Sequence, residues 1–104
     1  MAKIIWTYPA LEDLEKIAEY IALDNGGAAN KLVQKIFHTV ELLEEFPESG
    51  RIPPEFKRPQ YREVFVDPCR IFYRIEKNKI LILYVMRGEQ KLKKYLLKER
   101  KRRN

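Results

Sequence analysis

The stretch from Tyr61 to Glu89 constrains the fold more than any other part of this chain. Three runs rich in Val, Ile, Phe and Tyr, residues suited to a pleated, half-buried surface, are split by Asp67-Pro68 and by Glu76–Lys79. Such short breaks predict an antiparallel meander. Lys77-Asn78 reads as the two-residue turn of the second hairpin, with Asn the residue that tolerates positive φ. Ile75 then faces Ile80, Tyr73 faces Ile82 and Ile71 faces Tyr84. Alternation puts Ile71, Tyr73, Ile75, Ile80, Ile82, Tyr84 and Met86 on one face, to pack on helices. The other face receives Arg70, Phe72, Arg74, Leu81, Leu83, Val85 and Arg87, with Arg70 and Arg87 near the same end. A slip of one residue overturns this assignment.

Upstream, Lys3–Thr7 reads as a short strand. A helix then starts at Tyr8-Pro9, with proline in its first turn and Leu11, Leu14, Ile17, Ala18 and Ile21 at helical spacing. Asp24-Asn25-Gly26-Gly27 predicts its end. A second helix is expected from about Ala28 to Glu45, with an apolar stripe through Leu32, Val33, Ile36, Phe37, Val40, Leu43 and Phe46, ended by Pro47. Residues 47–60 hold four prolines and a glycine and predict a long loop. A short helix is expected over Glu89–Lys98. The fold class is α+β: an N-terminal strand, an αα-hairpin, then a three-stranded antiparallel meander, forming one sheet packed on the helices. The domain is expected to span 1–97, with 98–104 a basic flexible tail.

A length of 104 residues fits one domain with a modest core. No apolar run is long enough to span a bilayer and the start has no signal-peptide core, so no membrane partner is expected. One cysteine, Cys69, excludes an internal disulfide and argues for a reducing cytoplasm. No metal-ligand spacing or phosphate-binding glycine loop occurs, so no metal or cofactor is expected. His38, the one histidine, sits mid-helix without a catalytic signature around it. Charge is the informative quantity. Residues 1–50 hold four Lys/Arg and nine Asp/Glu, a net of −5, whereas residues 51–104 hold seventeen and six, a net of +11. This polarity points to an anionic partner on the C-terminal half, nucleic acid being the first candidate.

The helical hairpin, the loop Pro47-Glu48-Ser49-Gly50-Arg51, the run Tyr61–Val66, Cys69–Ile75 with its Arg-x-x-x-Arg pattern, and Ile82–Glu89 ending in Arg-Gly-Glu together resemble the RelE/ParE superfamily of bacterial type II toxins. The resemblance covers roughly residues 3–96. It implies a toxin that arrests growth through a basic sheet face and is neutralised by a cognate antitoxin in a hetero-oligomer. Members of the superfamily differ in target. ParE-like members inhibit DNA gyrase, and the two long N-terminal helices lean that way. RelE-like members are ribosome-dependent mRNA endoribonucleases. A non-toxic module binding nucleic acid or the antitoxin is a third alternative.

By this resemblance Arg70 matches the central-strand arginine, and Lys57, Arg58 and Arg62 the basic cluster before it. Tyr95 matches a C-terminal tyrosine. Where many relatives carry Arg after the glycine this chain has Glu89 and Gln90, and Arg87 is the substitute. On the nuclease alternative Arg70, Arg87 and Lys57 or Arg58 grip the phosphate, while Glu89 or Tyr95 moves protons. On any alternative Lys57, Arg58, Arg62, Arg70, Arg74 and Arg87 are the candidate target-binding residues.

Overall fold

The computed structural model describes residues 1–88. Strand β1 (Lys3–Trp6) leads into helix α1 (Tyr8–Ala22) and helix α2 (Gly26–Glu41), followed by two 3-10 turns, Leu42–Glu44 and Pro47–Ser49. Strands β2 (Tyr61–Val66), β3 (Cys69–Glu76) and β4 (Lys79–Arg87) come next. The sheet order is β1-β4-β3-β2, with β1 parallel to β4 and the other pairs antiparallel. The α+β architecture expected from the sequence is the one observed. The helix expected over 89–98, the tail, Glu89, Gln90 and Tyr95 lie outside the described residues.

Thr7 joins β1 to α1. Fully buried, its hydroxyl donates to the Ile82 carbonyl at 2.7 Å and accepts from the Ala10 N–H at 3.3 Å. One side chain thus caps the helix and ties its start to the central strand. Helix α2 begins two residues earlier than expected. Asn25 caps it, accepting from the Ala28 N–H at 3.0 Å, and Gly26 and Gly27 form its first turn. Neither glycine has a positive φ, so the Asn-Gly pair starts α2 instead of terminating α1 through a left-handed residue. The α-helix ends at Glu41 and tightens through Leu42–Glu44, leaving Phe46 exposed, away from the stripe it was assigned to.

One sheet face packs on the helices. Leu14, Leu32, Ile36 and Val40 meet Ile71, Tyr73, Ile80, Ile82 and Val85 there. The other face, expected to stay partly open, has a second apolar cluster of Phe72, Leu81, Leu83 and Met86, covered by Phe56 and Tyr61. Phe56 comes from the proline-rich loop and stacks edge-on to Tyr61 at 4.4 Å. Burying such a ring contributes roughly 1.5–3 kcal/mol towards holding the irregular segment on the sheet.

The β3–β4 register corrects the expected one. Ile75 pairs with Ile80 and Tyr73 with Ile82, as read from the sequence. The register then shifts: Phe72 pairs with Tyr84, Ile71 with Val85, Arg70 with Met86 and Cys69 with Arg87. Leu83 is the extra residue of a β-bulge, and every β4 side chain beyond it changes face. Val85 therefore joins the helix-side core, whereas Tyr84 and Met86 join the outer cluster. The Asp13 carboxylate of α1 accepts from the Val85 N–H at 3.1 Å, giving this displaced amide a partner. At the β3–β4 turn the positive φ, 44°, belongs to Lys77 and not to Asn78.

Candidate functional site

Charge on the outer face is concentrated on β2 and β3. The hairpin register sets Phe65 opposite Arg70 and Glu63 opposite Phe72, so Glu63, Phe65, Arg70 and Phe72 share the surface away from the helices. Glu63 is the anchor. Its side chain is 0% exposed and its two oxygens hold two cations, Arg70 Nε at 2.9 Å and Arg51 Nε at 2.6 Å. Arg51 reaches it because a short antiparallel bridge pairs the Arg51 and Glu63 backbones. A buried carboxylate needs such donors, since burial without them is costly.

Arg70 is itself nearly enclosed, its side chain 9% exposed. Its Nη2 lies 3.0 Å from each oxygen of Glu55, a loop residue whose side chain is 30% exposed. The guanidinium carbon sits 4.8 Å from the Phe72 ring centroid and 5.9 Å from that of Phe65. Arg51 lies over the other side of this surface, 5.0 Å from the Phe65 ring. Phe65 is 55% exposed. The result is an exposed phenyl ring between two arginines, with two carboxylates offsetting their charge.

The other expected site residues divide between the faces. Arg74 shares the outer face with Arg70, pairs with Glu76 at 2.9 Å and lies 5.0 Å from the Tyr61 ring centroid. Lys57 and Arg58 are exposed in the loop that covers this face, and Arg58 lies 5.5 Å from the Phe56 ring. Arg62 points to the helix side. It donates from Nε to the Pro59 carbonyl at 2.8 Å and from Nη1 to the Glu48 and Gly50 carbonyls at 3.1 Å each. Arg87 also falls on the helix side, opposite Cys69 and 5.3 Å from the Tyr20 ring of α1. The bulge thus separates Arg70 and Arg87, which were expected together.

The loop has its own lock. Tyr73 donates its hydroxyl to the Pro47 carbonyl at 2.6 Å and accepts from the Gly50 N–H at 3.0 Å. Burial pushes the Tyr73 phenol above its ordinary value, partly opposed by the Gly50 N–H and the nearby Arg62 guanidinium, while Glu48 adds to the rise. A Cβ on Gly50 would stand 2.6 Å from both the Glu63 carbonyl and the Tyr73 hydroxyl. Only glycine permits that approach. Pro47, Gly50 and Arg51 of the Pro-Glu-Ser-Gly-Arg motif thus each have a geometric task.

Charge counting along the sequence missed Glu55, Glu63 and Phe65. A two-residue break at Asp67-Pro68 sets Phe65 against Arg70 and puts Glu63 on the arginine-bearing face, so their grouping was available from the register. Among the described residues no group of three His, Cys, Asp or Glu is placed to hold a metal ion. No helix among them is long and apolar enough to cross a membrane.

Comparison with known proteins places this architecture. Residues 4–92 match the family model of the ParE toxin of the type II toxin-antitoxin system parDE. The toxin-designated protein Y4kP of Sinorhizobium fredii is 38% identical over 88 residues, covering 85% of this chain and 90% of that protein. Toxin RelE2 of Caulobacter vibrioides is 36% identical over 52 residues, half of this chain and 59% of that protein. A solved structure described as a chromosomal ParDE system from P. aeruginosa superposes with a TM-score of 0.70 at 29% identity, covering 86% of this chain and 98% of that one. The family match spans both helices and the whole sheet, and the chain belongs to the ParE toxin family of type II toxin-antitoxin systems.

Proposed function

We propose that this toxin acts by binding its target without chemistry of its own, that DNA gyrase is the target, and that a cognate antitoxin neutralises it. One observation carries the choice of binding over cleavage. Arg70 and Arg87 stand on opposite faces of the sheet and cannot close on a single phosphate. Phosphoryl chemistry without a metal needs several preorganised charges aimed at one transferring group. Arg70 is also occupied by Glu63 and Glu55, an arrangement suited to a rigid recognition surface more than to a phosphate grip. The ParE family model and the likeness to a ParDE structure support the gyrase target and an antitoxin partner.

The test is induction of the chain in a bacterial host, with chromosomal DNA and total RNA followed together, and supercoiling by purified gyrase assayed with the purified chain. The expected result is arrest with DNA breaks, intact mRNA and inhibited supercoiling, relieved by co-expression of the antitoxin. Codon-spaced mRNA cuts with unaffected supercoiling would replace this reading with the RelE-like one. The exposed loop residues supply the variants: Lys57→Ala should weaken arrest without altering stability, and Arg58→Ala should weaken it at a small cost in stability from the lost contact with the Phe56 ring.

A further inference from the structure

We infer that Glu55 is a built-in stand-in for a carboxylate of a partner protein, and that the seat it fills, made by Arg70 beside Phe65, is a binding site for an acidic side chain next to an apolar or aromatic one. The inference rests on the reading above only in placing a protein partner on the outer face, whatever that partner is.

Charge is the first argument. Arg51 and Arg70 bring two positive charges, and the fully buried Glu63 returns one. Counted over these described residues and without Glu55, the seat holds one unit of positive charge, with the Phe72 ring 4.8 Å from the guanidinium. It calls for a monoanion, and between a carboxylate and a phosphodiester the seat already accommodates the first, from Glu55. Shape is the second argument. With Glu55 seated Arg70 is 9% exposed, so one slender carboxylate side chain is enough to fill the seat. Arg70 Nη2 serves both oxygens of a planar carboxylate at 3.0 Å.

Glu55 differs from Glu63 in what holds it. Glu63 lies within β2, under two arginines, with no exposed surface. Glu55 is part-exposed, on a loop whose neighbouring Pro53 and Phe56 are buried. The loop therefore stays docked by Phe56 while the Glu55 side chain rotates out. An incoming carboxylate takes its place, and its apolar neighbour covers the exposed ring of Phe65. An internal ligand lowers the apparent affinity for an outside one by the fraction of time the seat is empty. This makes the site selective: a lone carboxylate gains nothing over Glu55, whereas one carrying an aromatic neighbour gains the Phe65 contact.

The experiment titrates the full-length, 15N-labelled chain with N-acetyl-Phe-Glu-amide, reading the Arg70 Nε–Hε resonance. Controls are N-acetyl-Phe-Gln-amide and dimethyl phosphate. Glu55→Gln empties the seat of charge and should bind the Phe-Glu probe at least about tenfold more tightly than wild type. Neither control should bind comparably, and Phe65→Ala added to Glu55→Gln should reverse part of the gain. Glu55→Asp, which keeps the charge but shortens the reach, gives a second and intermediate variant should the amide disturb the loop. Equal binding of the probe by wild type and both variants overturns the inference, as does preference of Glu55→Gln for dimethyl phosphate. No arm depends on growth arrest: equal binding removes the seat and leaves toxicity standing, and absent toxicity leaves the seat's selectivity readable.

Discussion

Glu63 and Arg70 form an ion pair 2.9 Å long between neighbouring strands, and the carboxylate in it has no exposed surface. Arg51 closes on the same carboxylate from the loop side, so one buried acid organises both the outer face and the segment leading into it. Removing one partner of such a pair is costly because the other charge stays in a dry site.

Glu63→Gln is therefore expected to destabilise the chain by about 3 kcal/mol, the lower part of the range for broken buried pairs, because Glu55 still faces Arg70. Urea unfolding of wild type and variant checks this. An unchanged midpoint would mean that Arg51 and Arg70 are screened by water and that Glu63 does not organise the face.

Gly50→Ala tests the loop lock. Its Cβ would meet the Glu63 carbonyl and the Tyr73 hydroxyl, both at 2.6 Å, and neither can retreat without giving up its own hydrogen bond. Overpacking of this kind costs about 1–3 kcal/mol, and the upper end is expected where one obstacle is backbone. The measurement is the urea midpoint, with Ser49→Ala as the exposed neighbouring control.

Tyr73 gives stability an alkaline limit. Its folded-state value lies above the ordinary 10.0, with burial the main cause, so the fold prefers the neutral phenol. The contribution is present in full below pH 10 and is lost as pH rises from there towards the raised folded value. Above about pH 10 the melting temperature should fall more steeply in wild type than in Tyr73→Phe. At neutral pH that variant should itself lose about 1–2 kcal/mol, because the Gly50 N–H and the Pro47 carbonyl lose their shared partner.

Asp13→Ala tests what holds the bulge. Loss of the acceptor for the Val85 N–H should cost about 1–3 kcal/mol. Amide exchange at Val85 should accelerate relative to amides in α2, since the opening is local to β4. Unchanged protection at Val85 would mean that packing alone maintains the displaced register.

The sequence is readable where local signals agree. Asp67-Pro68 and Lys77-Asn78 sit between alternating β-formers, so both hairpins and the register as far as Tyr73 with Ile82 follow from turn chemistry and periodicity. Beyond that point the bulge intervenes. Leu83 is an ordinary strand residue, and the acceptor for the displaced amide, Asp13, lies on a helix remote in sequence. Asn25-Gly26 is compatible with either ending one helix or starting the next, and the Ala28 amide shows which occurred. Charge summed by segment was least informative about the site. It registers Arg51, Arg70 and Arg74 as a basic surface, while Glu55, Glu63 and Glu76 offset them in space. Phe56 was hidden for a different reason: a proline-rich loop has no period from which a buried position can be read.

The parallel pairing of β1 with β4 has a consequence for the chain as it is made. Lys3 aligns with Lys79 and Trp6 with Ile82, so among the described residues β1 has its one sheet neighbour near the end of the described fold. At ordinary rates of synthesis, the interval between those two stretches is roughly 4–15 s. Throughout it Ile4, Ile5 and Trp6 wait without a strand to join, and Thr7 caps a helix that is not yet tied to the sheet. Joining β1 to β4 is a long-range closure, the slow kind of contact. No surface that depends on the finished four-stranded sheet exists until β4 arrives.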